Sequence, residues 1–176
     1  MEKNKITMYN FRKAGKNLKI FEYVKIIKPE VIEIGDNSEI DDFSFIFGGK
    51  GIYIGRYVHI SRFVSIIGGG ELYLGDYTVL ADGARILTGT DSYQGGSRMS
   101  TCLPLEQRNL KVSFVRIEKD AFVGTNAIIH PGVTVGEGAI IGSNSLVLKD
   151  IEPWTINVGS PCKVIKKRPK IKFEDL

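Results

Sequence analysis

The chain has 176 residues, of which 43% are hydrophobic and 25% charged, and its formal net charge is +4. These values are ordinary for one soluble globular domain, so residues 1–176 are taken as a single domain. No apolar run approaches the roughly 20 residues that a membrane span requires, and the N-terminal residues lack the apolar core of an export signal. We therefore expect a cytoplasmic protein without a membrane span. Much of the mild positive charge lies near the C-terminus, which favours a local anionic ligand over nucleic acid.

The small number of cysteines and histidines limits the chemistry further. Cys102 and Cys162 provide no disulfide framework and suggest a reducing compartment. The two histidines, His59 and His130, are too few distinct positions for a three-histidine metal site. No metal is therefore expected, and a metal-dependent hydratase is excluded.

An internal repeat organises most of the chain. Three segments align without gaps at a period of twenty residues: VIEIGDNSEIDDFSFIFGGK, GIYIGRYVHISRFVSIIGGG and ELYLGDYTVLADGARILTGT, which cover 31–50, 51–70 and 71–90. Within each segment an aliphatic residue recurs at every sixth position, and a weaker first copy precedes them. After position 114 the rhythm resumes at a period of eighteen. The recurring residues are Ala14, Ile20, Ile26, Ile34, Ile40, Ile46, Ile54, Ile60, Ile66, Leu74, Leu80, Ile86, Ile117, Val123, Ile129, Val135, Ile141 and Val147.

A period of six fits neither an amphipathic helix nor a simple alternating strand. Three hexads per repeat indicate three short strands per coil, with the aliphatic residue of each hexad pointing into a prism. About six coils, covering about 14–150 and stacked at ~4.8 Å, would form an all-β solenoid ~29 Å long. The remaining residues, 151–176, would form a C-terminal cap and tail. The extra two residues of the longer coils are expected to form a bulge at one corner, at GGK and GGG.

The rhythm is interrupted between Thr88 and Phe114. We expect this stretch, 88–114, to be one long loop without secondary structure of its own. Such a loop within a compact domain is usually functional, although a tolerated insertion is the alternative.

The hexads and the closing segment VGTNAIIHPGVTVGEGAIIGSNSLVLKDIEPWTINVGSPCKVIKKR resemble the hexapeptide-repeat acyltransferases. The resemblance covers about residues 14–168 and is strongest to the galactoside and maltose O-acetyltransferases and to related enzymes that modify polysaccharides. It implies a left-handed parallel β-helix, a homotrimer, and acyl transfer, most often of acetyl, from coenzyme A to a hydroxyl or an amine.

The alignment with these enzymes exposes one departure. They carry a catalytic histidine at the mouth of the long loop, where this chain has Asp91. Histidine titrates near neutrality and can accept the proton of a sugar hydroxyl, whereas an ordinary carboxylate is a much weaker base. His59 and Ser61 fall in the column of the acceptor site, and Tyr93 follows in the loop as a further candidate acceptor contact. His59 precedes the inward Ile60, so its side chain should project outward.

Each of these residues has an alternative interpretation. His59 is either a catalytic or acceptor-binding residue, or a solvent-facing residue in a ladder between Glu39 and Val79. Asp91 either caps the loop or belongs to the site, where it would orient His59 across a subunit groove or hold the acceptor. His130 and Cys162 are interpreted as structural, and Cys102 as incidental.

The resemblance also implies a coenzyme site in the groove between two prisms. Thr125 and Ser143 would meet the pantetheine arm, and Lys149 and Lys166 would meet the phosphates. Leu148 stands where these enzymes usually have a threonine, so one hydroxyl contact is absent. For the lysines the alternative is a solvated surface without a ligand.

These observations favour an acetyl-CoA-dependent acetyltransferase acting on a hydroxyl of a sugar or glycan precursor in cell-surface polysaccharide synthesis. The loss of histidine at position 91 keeps N-acetylation of a nucleotide-linked amino sugar as an alternative, because an amine needs less help from a base. A noncatalytic β-helix scaffold is the alternative from another class.

Overall fold

A computed structural model describes residues 9–92, 94 and 96–176. Its architecture is all-β, with three sheets that form the sides of a prism and whose strands are parallel apart from the last strand of the second sheet. The first sheet contains β1 (Lys13–Ala14), β4 (Ile32–Ile34), β7 (Gly51–Ile54), β10 (Glu71–Leu74), β15 (Phe114–Ile117) and β18 (Thr134–Val135). The second contains β2 (Lys19–Ile20), β5 (Glu39–Ile40), β8 (His59–Ile60), β11 (Val79–Leu80), β16 (Phe122–Val123), β19 (Ile140–Ile141), β21 (Thr155–Val158) and β22 (Lys163–Lys167). The third contains β3 (Lys25–Ile27), β6 (Phe45–Phe47), β9 (Ser65–Ile67), β12 (Arg85–Leu87), β17 (Ile128–Ile129) and β20 (Leu146–Val147).

The chain visits the three sheets in turn, so each strand pairs with its counterpart one coil away. Ile34 pairs with Ile54 at a spacing of twenty residues, and Ile117 pairs with Val135 at a spacing of eighteen. The predicted solenoid is therefore confirmed, with six complete coils and a seventh strand, β21, on the second sheet. We call the turns from first to second, second to third, and third to first sheet the first, second and third corners.

The core is the column of aliphatic residues predicted from the six-residue rhythm. Ile60, Leu74 and Ile117 are fully buried, as are most of their counterparts. Ala14 is the exception, because it lies at the end of the prism and is exposed. The small corner residues are also buried; the Ser38 and Ser44 hydroxyls donate hydrogen bonds to backbone carbonyls of the next coil, at 2.9 and 2.8 Å. These buried hydroxyl groups therefore have hydrogen-bond partners.

The extra residues of the longer coils lie at the third corner, as predicted. Gly68 and Gly69 have φ values of 109° and 78°, a region that side chains rarely adopt. A Cβ on Gly68 would also collide with the backbone of Gly89 in the next coil. Glycine is thus required where the coil bulges against its neighbour.

The prediction that 88–114 has no secondary structure is wrong. β13 (Gly89–Asp91) pairs antiparallel with β14 (Leu110–Val112), and a 3-10 helix covers Leu105–Gln107. A second 3-10 helix, Pro29–Val31, lies at the third corner of an earlier coil. Both arms of the insertion leave the same corner, where the Ser113 amide donates to the Thr88 carbonyl at 2.8 Å. Adjacent arms satisfy each other's backbone groups, so they form a ladder.

The C-terminal extension begins as a hairpin and then turns back along the prism. β22 runs antiparallel to β21, and the Arg168 guanidinium donates to the carbonyls of Asp120 and Gly138 at 2.9 and 2.8 Å. Further on, the Leu176 amide donates a hydrogen bond to the Tyr77 hydroxyl at 2.7 Å. Among the described residues no helix has the length and apolar character needed to span a membrane.

Replacing one inward isoleucine should test the stacked core. Ile60 is completely buried, so Ile60→Ala should lower the free energy of unfolding by about 2–5 kcal/mol through lost contacts and a cavity. Ile67, 38% exposed on the third sheet, offers the matched control, and Ile67→Ala should change it by about 0.5 kcal/mol or less. Urea denaturation followed by far-UV circular dichroism measures both; equal effects would contradict the assigned core.

Candidate active site

His59 lies on β8 and projects outward from the second sheet, as predicted. It stands in the ladder between Glu39 and Val79, and 43% of its side chain is exposed. Its Nε2 lies 3.0 Å from Oδ2 of Asp41, a residue of the second corner one coil earlier. In the neutral tautomer that carries its proton on Nε2, the ring donates to the Asp41 carboxylate and Nδ1 keeps a lone pair. The imidazole is thereby oriented by a group that sequence analysis missed.

Asp41 could have been found from the repeat, because it lies eighteen residues before His59 in a twenty-residue coil. This offset places it at the corner just beyond the strand that neighbours β8. Oxygen and nitrogen atoms of Glu39, Asp41 and His59 all lie within 4.8 Å of one another, a donor set that suits a cation. In the single chain Glu39 is paired with Lys19 at 3.0 Å and Asp41 with His59. Each of the three residues therefore already has a side-chain partner within the chain.

Asp91 lies at the base of the hairpin, on β13, and is 9% exposed. Arg108 donates two hydrogen bonds to it, from Nε to Oδ1 at 3.2 Å and from Nη2 to Oδ2 at 2.7 Å. The Arg108 side chain is also 9% exposed. This bidentate pair fixes the plane of the carboxylate and offsets its charge, while each oxygen keeps a second lone pair for another donor.

The structure thus gives His59 and Asp91 different partners within one chain. Asp41, not Asp91, orients the imidazole, and Asp91 is held by Arg108. A meeting of His59 with Asp91 across a subunit groove stays a prediction. Arg108 was not singled out from the sequence, because the insertion has no repeat that would indicate which residues face each other.

Of the other two candidate acceptor contacts, Ser61 and Tyr93, only Ser61 lies among the described residues. Ser61 follows β8 at the second corner and is 8% exposed; its carbonyl accepts a hydrogen bond from the Ser44 hydroxyl at 2.8 Å. Its backbone therefore serves the corner. Tyr93 lies outside the described residues.

Two of the candidate coenzyme contacts fall in one column. Thr125 and Ser143 are exposed residues of the second corner in consecutive coils, which are joined by a 2.8 Å hydrogen bond from the Asn144 amide to the Thr125 carbonyl. Lys149 lies at the third corner after β20, and Lys166 lies on β22 opposite Ile156. Both lysines are exposed. The four candidate contacts thus all lie toward the C-terminal end of the prism, but on different sides of it.

The cysteine near this end is not activated. Burial raises the pKa of the Cys162 thiol, which keeps it in the neutral and less nucleophilic form. Its amide donates to the Leu146 carbonyl at 2.8 Å. Both observations agree with a structural role.

Known protein families and solved structures share the repeat and the fold of this chain. Residues 114–149 fit the family model described as bacterial transferase hexapeptide (six repeats). Chloramphenicol acetyltransferases of Agrobacterium fabrum and Escherichia coli are 54% and 52% identical to the chain over 52 residues, 30% of this chain. The chain spans about a quarter, 25%, of the length of these curated relatives.

The likeness to solved structures extends over nearly the whole chain. AntD, an N-acyltransferase from Bacillus cereus, was solved in complex with dTDP-4-amino-4,6-dideoxyglucose and coenzyme A as a serine-to-cysteine mutant. That structure superposes with a TM-score of 0.89 at 31% identity, over 94% of this chain and 88% of AntD. A second AntD structure, with dTDP and 3-hydroxybutyryl-CoA, gives a TM-score of 0.84 at 33% identity, over 90% and 84% of the two chains.

A hexapeptide-repeat acetyltransferase from Vibrio cholerae, complexed with acetyl coenzyme A, shares the fold at a TM-score of 0.62 and 20% identity, over 91% of this chain and 73% of its own. This chain is 31% identical to AntD over 94% of its own length and 88% of the length of AntD, and residues 114–149 fit the hexapeptide model. The chain therefore belongs to the hexapeptide-repeat acyltransferases.

Proposed function

We propose that the protein transfers an acyl group, acetyl in the simplest case, from coenzyme A to the amino group of a nucleotide-linked amino sugar. The observation that carries this proposal is the buried Asp91 carboxylate, fixed by Arg108 at the base of the hairpin. The likeness to AntD, an N-acyltransferase solved with a dTDP-linked amino sugar, supports it.

A carboxylate suits an amine acceptor better than a hydroxyl acceptor. The lone pairs of Asp91 that Arg108 leaves unused can accept hydrogen bonds from an ammonium or amine and orient its nitrogen. The neutral amine then attacks the thioester carbonyl and forms a carbon–nitrogen bond. The carbon–sulfur bond breaks, coenzyme A leaves as the thiol, and the amine proton passes to the departing sulfur. Positioning of the two substrates supplies much of such a rate enhancement.

The donor is proposed to be acetyl-CoA, held at the C-terminal end of the prism. The exposed hydroxyls of Thr125 and Ser143 would accept or donate hydrogen bonds along the pantetheine arm. Lys149 and Lys166 would interact with the phosphates as exposed cations.

We also propose a homotrimer as the working unit. The outward residues of the second sheet change from charged in the early coils to apolar in the later ones, where Phe122 is 37% exposed. A neighbouring prism would cover this surface and supply the second wall of the cofactor groove.

Acylation of a sugar hydroxyl is the second candidate, and the His59–Asp41 pair favours it. An imidazole oriented by a carboxylate is the usual arrangement for removing a proton from a hydroxyl during attack. The 3.0 Å contact between His59 and Asp41 provides this arrangement without Asp91.

Removing the charge of Asp91 should weaken acceptor binding. Asp91→Asn keeps a hydrogen-bonding side chain beside Arg108 but removes the anionic acceptor, so the KM for dTDP-4-amino-4,6-dideoxyglucose should rise about 10- to 100-fold. The KM for acetyl-CoA should stay the same. Thiol release from acetyl-CoA and the product mass measure both.

Asp76 provides the matched control, because it is also paired with an arginine, Arg56, at 2.9 Å but lies at the first corner. Asp76→Asn should leave both KM values unchanged. An unchanged acceptor KM in Asp91→Asn would contradict the proposed role of Asp91. Absence of thiol release with every acceptor would favour the noncatalytic scaffold.

The role of His59 separates the two acceptor classes. With a hydroxyl acceptor, His59→Ala should lower kcat about 100- to 10,000-fold, as expected for loss of a general base, and adding Asp41→Asn should cost little more. With an amine acceptor the loss should be much smaller. His130→Ala, which alters the other histidine, should affect neither reaction. Unchanged turnover with both acceptors would identify His59 as a ladder residue.

The two lysines should recognise the 3′-phosphate of coenzyme A. The double variant Lys149→Ala/Lys166→Ala should weaken coenzyme A a few-fold, since an exposed charge contact contributes up to about 1 kcal/mol, and added salt should shrink the difference. Binding of 3′-dephospho-coenzyme A should change less. Calorimetric titration compares the two ligands. Lys50→Ala, an exposed lysine of an early coil, is the control, and equal weakening of both ligands would contradict this assignment.

A further inference from the structure

Three aromatic rings form a column on the outside of the second corner. Tyr23, Phe43 and Phe63 belong to consecutive coils, and their ring centroids are 5.3 Å apart at each step with interplanar angles of 5° and 9°. The residues are 60%, 54% and 58% exposed. The stacked rings therefore expose their edges along the column, and only a ring at the end of the column can offer a whole face to a ligand.

Two other ring stacks are found among the described residues, and a cation covers the C-terminal end of each. On the first sheet Tyr53 stacks on Tyr73 at 5.0 Å, and the Arg116 guanidinium of the next coil lies 4.1 Å from the Tyr73 centroid. Arg116 is the residue opposite Tyr73 in the parallel pairing of β10 with β15. Tyr73 is half-buried.

At the first corner Tyr57 stacks on Tyr77 at 5.2 Å. The Lys119 ammonium of the next coil lies 5.8 Å from the Tyr77 centroid, and Leu176 is hydrogen-bonded to the Tyr77 hydroxyl. This stack is thus closed by the chain itself at the same end as the first.

The ring column at the second corner ends differently. Phe63 is followed one coil later by Gly83, whose amide donates to the Arg62 carbonyl at 2.8 Å. Glycine has no side chain to place under the ring. Within 9–92, 94 and 96–176, no ring or cation is recorded over the face of Phe63 that points toward the C-terminal coils.

The groups around this open ring face are polar and cationic. The Asn126 carboxamide rises from the coil below and lies where a Cβ on Gly83 would have to be. An amide offers both donors and an acceptor to the edge of a planar ligand. Two arginines lie close by in the chain: Arg62 directly precedes Phe63 and is paired with Asp82 at 3.0 Å, and the exposed Arg85 follows Gly83 by two residues. Together they provide an aromatic platform, an amide and two guanidinium groups that suit phosphate.

We propose that the open face of Phe63 is a stacking platform for the nucleobase of a nucleotide. The base would occupy the position of the ring that Gly83 lacks, outside the Asn126 carboxamide, with its edge toward Asn126 and its phosphates toward Arg62 and Arg85. This inference rests on the proposed function, because both substrates of that reaction carry a base: adenine in coenzyme A, and the base of the nucleotide-linked sugar. Thr125, the proposed pantetheine contact, directly precedes Asn126 and keeps the platform within the same corner.

Calorimetric titration of the full chain with two probes, dTDP and adenosine 3′,5′-bisphosphate, tests the platform. A stacked base contributes enough that Phe63→Ala should weaken one of these nucleotides about 5- to 150-fold. Loss confined to dTDP assigns the platform to the acceptor, and loss confined to the bisphosphate assigns it to coenzyme A. Phe63→Tyr, which keeps the ring, should restore affinity to within about twofold.

Tyr23→Ala is the matched control, because Tyr23 ends the same column at the other side and is equally exposed. It should leave both affinities unchanged. Unchanged binding of both nucleotides in Phe63→Ala, or an equal loss in Tyr23→Ala, would overturn the proposal. Steady-state thiol release separates the two ideas: turnover with unchanged KM values in Phe63→Ala would reject the platform and keep the transferase. If the chain shows no turnover but binds a nucleotide in a way that depends on Phe63, the platform is kept and the transferase is rejected.

Discussion

A single coil of this prism cannot bury its own inward aliphatic side chains. They are removed from solvent only when the next coil stacks on them. The fully buried residues Ile60, Leu74 and Ile117 belong to three different coils, Ile60 on the second sheet and the other two on the first, yet each fills the same kind of position. Because a slip of one residue would turn an inward aliphatic side chain outward, the stacking register is strongly specified. The rest of the molecule depends on that register.

The register also organises the outer surface, since residues at equivalent positions of successive coils lie above one another. Tyr23, Phe43 and Phe63 stack for this reason, and Thr125 and Ser143 share a corner. A single change in the column, glycine at position 83, ends the stack and leaves a ring face open. Binding surfaces in such a solenoid can thus arise from one departure in an otherwise repeated position.

The insertion at the third corner obeys a different constraint. Its arms leave and re-enter the prism side by side, so they pair with each other and bring Asp91 to Arg108 across the hairpin. A buried carboxylate is acceptable there because its charge is met by a bidentate guanidinium. Rigid coils therefore support a shorter, locally stabilised element that carries the group proposed to hold the acceptor amine.

The sequence by itself determined the all-β prism, nearly all of its inward residues and the corner bulges, because a period of six residues is a local signal repeated many times. The outward direction of His59 followed from the same period, since its neighbour Ile60 points inward. Family resemblance placed attention on Asp91 and on the C-terminal coils. In these respects the prediction needed no knowledge of which distant side chains meet.

Only the tertiary structure decided the partners of those residues. Asp41 reaches His59 from the corner of an adjacent coil, and Arg108 reaches Asp91 from the opposite arm of a hairpin that has no repeat. The path of the C-terminal tail to Tyr77 likewise joins residues 99 positions apart. Such pairings depend on side-chain conformation and chain reversal rather than on periodic burial, so no local pattern specifies them.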